Sequence, residues 1–111
     1  MKRILALVLI AAAVAAAVLA LPASGASTTV TVKDNVYSPR SLTVARGTRI
    51  VFVWRGHGLH NIVVTSAPKG HKFRSTTKRH GTYVATPHTP GTYRILCTVH
   101  APDMRMVLHV R

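Results

Sequence analysis

Beyond residue 26 the chain carries no run of helical periodicity. Apolar residues come instead in short β-rich runs separated by Gly, Pro, Ser and Asn turns, which restricts the fold to an all-β sandwich or barrel. Thr28 to Lys33 alternates, with Val30 and Val32 on one side, and Asp34-Asn35 and Tyr37-Ser38-Pro39 mark bends. Leu42 and Val44 are the apolar side of a second strand that Gly47 ends. Arg49 to Trp54 is a continuous apolar run, expected of a central strand buried on both faces, with Trp54 in the core. Ile62 to Val64, Thr82 to Ala85 and Thr92 to Cys97 are further strands. In the last strand Met106, Leu108 and Val110 alternate with Arg105, Val107 and His109, which buries one face. About seven strands result. Thr65 to His80 has no period and reads as a long basic connection with one short helical turn.

The first quarter differs in kind. Met1-Lys2-Arg3 precedes an unbroken apolar run from Ile4 to Leu21, followed by Pro22 and the small residues Ala23 to Ala26. That order is the layout of a secretory signal peptide cleaved after Ala26, leaving residues 27–111 as one exported domain. An uncleaved anchor is the competing reading, because eighteen apolar residues just span a bilayer. Only then would the domain touch a membrane. Either way it lies outside the cytoplasm, in a periplasm or at or beyond the cell surface. A lipoprotein is excluded, since the only cysteine is Cys97, far from the cleavage region. A lone cysteine forms no disulfide within the chain and, in an oxidising compartment, is a liability unless it is buried, binds metal or pairs between chains.

Without Lys2 and Arg3 the remaining chain has 13 basic residues against Asp34 and Asp103, a net charge of +11 with histidines neutral. This favours acidic partners or surfaces. Nucleic acid is not expected of an exported protein whose basic residues are scattered; the densest stretch, Lys69 to Arg79, reads as a solvated loop.

Cys97, His100 and Met104 share one short stretch, CTVHAPDM. A thiolate, an imidazole and a thioether form a soft ligand set, suited to copper rather than to hard cations. The spacing of Cys97 and His100 lets a tight turn aim both side chains at one point. Met106 is the rival thioether, but its parity with Leu108 and Val110 assigns it to the core. Asp103 reads as a polar turn residue. A second imidazole must come from elsewhere: His60 follows a Gly-rich loop and opens a strand, with His57 as competitor three residues earlier. His71, His80, His88 and His109 fall in loops or on an outer face and read as exposed.

These motifs together resemble the cupredoxins, small blue copper proteins of the plastocyanin and amicyanin kind. The likeness runs from VKDNVYSPRSLTVARGTRIVFVW through HNIVV to PGTYRILCTVHAPDMRMVLHV. It implies a Greek-key β-sandwich or barrel and one type 1 copper ion per chain, cycling between Cu(I) and Cu(II). His60, Cys97 and His100 would be its equatorial ligands and Met104 the axial one. Asn61 would tie the two ligand loops together through Thr98. Three residues separate His100 from Met104, one more than in amicyanin and one fewer than in plastocyanin, so the axial position is where this chain departs from both. The resemblance further implies a monomeric electron carrier, not an enzyme. A redox protein would dock near His100, on a rim of Ala101, Pro102, Leu59 and Pro39. A copper carrier using the same ligands is the alternative.

Overall fold

The computed structural model describes residues 26–111. The expected signal or anchor segment, residues 1–26, lies outside them except for Ala26. Eight strands form: β1 Ser27–Lys33, β2 Val36–Ser38, β3 Ser41–Val44, β4 Arg49–Trp54, β5 Val63–Ser66, β6 Gly81–Ala85, β7 Gly91–Leu96 and β8 Arg105–Val110. They make two four-stranded sheets, in the orders β2-β1-β4-β6 and β3-β8-β7-β5. The chain passes repeatedly between the sheets. β1 therefore runs parallel to β4, and β3 parallel to β8, while the other neighbours are antiparallel.

The all-β sandwich is as the alternation predicts, with one strand more. Asp34 and Asn35 both take positive φ, 53° and 61°. Short polar side chains tolerate that backbone, and two such residues make the tight turn whose twist suits a hairpin. β1 therefore folds straight back into β2, and Tyr37 and Ser38, expected in a bend, lie on a strand.

A second difference concerns β4. Ile50, Phe52 and Trp54 are buried, but Val51 and Val53 are only half-buried. Among the described residues no layer covers the outer face of this sheet, so even a central strand buries one side. The inward residues of both sheets, Val30, Val32, Ile50, Phe52, Ile95 and Leu108 among them, form the core. Burying each is worth about 1.5–3 kcal/mol. Among the described residues no helix is long and apolar enough to cross a membrane.

Register defines two poles. Val32 pairs with Trp54 and Leu96 with Arg105 at one end; Ser27 pairs with Arg49 and Gly91 with Val110 at the other. The described chain thus enters at the pole away from the Cys97 loop.

Gly91 opens β7 with φ 143°, and a Cβ there would overlap the ring of Pro68, on the turn Pro68–Gly70. Gly70 also has positive φ, 75°, but open space around it. Gly91→Ala should therefore cost about 2–3 kcal/mol of stability, from backbone strain plus overpacking, and Gly70→Ala only about 1 kcal/mol. Urea unfolding of the two variants measures the difference.

Candidate metal centre

β7 delivers Cys97 to the end of the sandwich, where the backbone turns at Thr98–His100. The amide of Cys97 donates to the carbonyl of Met104 at 2.9 Å, and the amide of Met104 donates to the carbonyl of His100 at 3.2 Å. These bonds close the loop and seat Met104, 1 % exposed, beneath it. The second loop carries His60, whose amide and carbonyl bond to the carbonyl and amide of Lys78, both at 3.0 Å. Trp54 Nε1–H also donates to the carbonyl of His60 at 3.3 Å.

The two loops bring His60, Cys97 and His100 together, with their ligand atoms all within 4.8 Å of one another. The Nδ1 atoms of His60 and His100 are 3.3 Å apart, and Cys97 Sγ is 3.7 Å from His100 Nδ1. Two neutral imidazoles cannot both point lone pairs at each other without repulsion; a proton or a cation between them removes it. Burial, and then the neighbouring His100, hold the pKa of His60 below its usual 6.5, opposed by Asp34. A second proton, and with it a positive charge, is thus disfavoured on the His60 ring. A buried thiol and two imidazoles facing one point make a soft pocket for one thiophilic ion.

Asn61 joins the loops. Its side-chain nitrogen donates to Thr98 Oγ1 at 2.7 Å and to Thr77 Oγ1 at 2.9 Å, and its side-chain oxygen accepts from the Thr98 amide at 2.9 Å. Its own carbonyl accepts from the Tyr37 hydroxyl at 2.6 Å. Burial, and then the adjacent Cys97, push the Tyr37 pKa far up, so it remains a phenol and a donor.

Comparison with known proteins decides the family. The cupredoxin-like domain profile matches residues 4–110. The chain belongs to the cupredoxin-like family. It is 32 % identical to plastocyanin from Prochlorothrix hollandica over 91 residues, 73 % of this chain and 70 % of that protein. A mutant amicyanin in its reduced state superposes with a TM-score of 0.68 at 26 % identity, over 78 % of this chain and 83 % of that one. The copper-containing nitrite reductase of Thermus scotoductus SA-01 matches with a TM-score of 0.67 at 26 % identity. That match covers 77 % of this chain but only 22 % of the reductase, so this cupredoxin corresponds to a fraction of the larger enzyme.

Of the histidines weighed at the second loop, His60 is in the cluster and 1 % exposed, whereas His57 is exposed. Met106 is buried on β8 beside Leu108 and Val110, as its parity implies. His71, His80, His88 and His109 are exposed, and so is Asp103.

Sequence reasoning missed the strap. Phe73 to Lys78, within the basic connection, lies along the His60 segment. The amide of Val64 donates to the Phe73 carbonyl at 3.0 Å, and the amide of Ser75 donates to the Ile62 carbonyl at 2.8 Å. Ser75 Oγ accepts from the Ile62 amide at 2.8 Å, and Lys78 Nζ sits 4.8 Å over the Trp54 ring. Isolated bridges leave no alternation to read. Tyr37 was missed because its partner is 24 residues away.

Asn61→Ala removes the three hydrogen bonds that tie its loop to Thr98 and Thr77 and should cost about 1–3 kcal/mol, and Tyr37→Phe, which loses one hydrogen bond, about 1 kcal/mol. Chemical unfolding of the metal-free chain tests both. pH dependence follows from His60. Its folded pKa is depressed, so below 6.5 the unfolded chain binds more protons and folding weakens as pH falls through that window. The thermal midpoint of the metal-free protein should drop between pH 7.5 and 5, and His60→Asn should flatten the slope.

Proposed function

We propose that this cupredoxin is an exported electron carrier with a single type 1 copper site, and that residues 1–26 are its signal segment. The observation that carries the reading is the convergence of His60, Cys97 and His100 within 4.8 Å at one pole of the sandwich. In it His60, Cys97 and His100 would hold the metal, and Met104, buried under the same loop, would add a thioether donor. A bound copper ion would supply the one-electron couple; the chain's own residues determine how it is held and reached.

Cys97 would contribute a sulfur donor, and its burial keeps water and oxidants from that sulfur. Asn61 and Thr98 tie the two loops together, which would hold the donor set in place around a bound metal. His100 is half-buried while His60 is enclosed, which makes the His100 ring the route to solvent. Exposed apolar side chains flank that route in sequence: Leu59, 38 % exposed, beside His60, and Val99, 46 % exposed, beside His100. Ala101 and Pro102 are exposed as well. Such a rim supports brief docking of a redox protein, with the basic charge drawing acidic partners. The carrier alternative uses the same ligands, and the exposed rim favours transfer over storage. With two carboxylates, Asp34 and Asp103, in the whole chain, we read the site as one that passes electrons rather than one that breaks a substrate bond.

Adding Cu(II) to the purified protein should produce an intense blue thiolate absorption that Cys97→Ser abolishes and His57→Ala leaves intact. A colourless protein, or a band that persists without Cys97, sinks the assignment. Reversible electron exchange with an exported cytochrome favours the carrier of electrons; handing Cu(I) to a metal-free acceptor favours the carrier of copper.

A further inference from the structure

A groove of about 710 Å³ crosses the outer face of the second sheet. It takes Thr65 from β5, Arg94 from β7 and Arg105 from β8, and reaches Arg40, the residue before β3. Arg105 pairs with Leu96 and Arg94 with Val107, which makes the two arginines diagonal neighbours on one face, their backbone positions about 7–8 Å apart. The Val107 amide donates to the Arg40 carbonyl at 2.9 Å, which brings the third arginine to the same place. All three are exposed. Asp103 is the one carboxylate lining the groove, so at least two positive charges remain unbalanced there.

Like charges gathered on one face repel, and an anionic group seated among them offsets that repulsion. The guanidinium fork suits carboxylates, two bonds at a time. The floor is apolar, with Leu96 and Val107 half-buried between the arginines. A concave groove with an apolar floor admits an extended chain, whereas a bilayer surface is too flat to enter it. The groove also includes Asp103 of the ligand loop, so its occupant sits alongside the metal pole.

We propose that this groove, with Arg40, Arg94 and Arg105, docks a Glu- or Asp-rich segment of a partner protein. The inference deepens the electron-transfer reading, resting on it only in taking the occupant to be a protein. It assigns the acidic partner's contact to a sheet face beside the apolar rim rather than to the scattered charge of the whole domain.

The test uses a fluorescent hexaglutamate peptide with the purified protein at low ionic strength, followed by anisotropy. The triple variant R40Q/R94Q/R105Q is compared with R46Q/R49Q/R111Q, which removes the same charge near the opposite pole. Binding should weaken about tenfold in the first and less than twofold in the second. Equal weakening in both means that net charge alone attracts the peptide and overturns the proposal. So does the absence of peptide binding by the unaltered protein. If phosphatidylglycerol vesicles, and not the peptide, depend on the three arginines, the face is a lipid site and the proposal also falls. Copper-dependent colour, measured in every variant, reports separately on the metal assignment.

Discussion

Asn61 is the interaction on which the rest of the site depends. The three donors come from two loops 37 residues apart in sequence, and a sandwich does not by itself hold its loops in register. One carboxamide does so by binding the hydroxyl and the amide of Thr98 together, while its nitrogen also reaches Thr77 on the strap. Tyr37 then fixes the Asn61 backbone from the first sheet. Among the described residues no buried side-chain nitrogen or oxygen lacks a partner. Such a network is worth keeping only when every member is satisfied, since an orphaned buried group costs about 1–3 kcal/mol.

The second loop is gripped along its length. His60 hydrogen-bonds the strap on one side and Trp54 on the other, and Lys78 lies over the same indole. His60 can thus remain enclosed and neutral while His100, on a short turn, stays accessible. One imidazole of the cluster is thus enclosed and the other half-exposed, while the sulfur stays buried.

The strand registers place this site at one pole and the entry of the described chain at the other. Whatever precedes residue 26 joins the domain far from the ligands. The arginine-lined groove lies on the second sheet, whereas the described chain enters through β1 of the first.

Much was legible in the amino-acid sequence because its rules are local. Alternation in β1 and β8 gave the buried faces, with Val30, Val32, Met106, Leu108 and Val110 inward as their parity requires. The Cys97–His100 spacing marked one ligand loop, and the pair His60-Asn61 marked the other through its likeness to a family. What escaped depends on residues far apart. The extra strand β2 follows from two positive φ angles, and the open outer face of β4 from which layers exist around it. The strap has no period of its own, because it is held by single bonds to the His60 segment. Tyr37 and the three arginines acquire meaning only when strands from distant parts of the chain lie side by side. Sequence alone thus determined which soft donor side chains are available and which residues point inward, since both are set by residue type and spacing. The tertiary structure alone decided which imidazole is enclosed, what clamps the two loops, and where the positive charge gathers, because those depend on contacts between segments that no local pattern records.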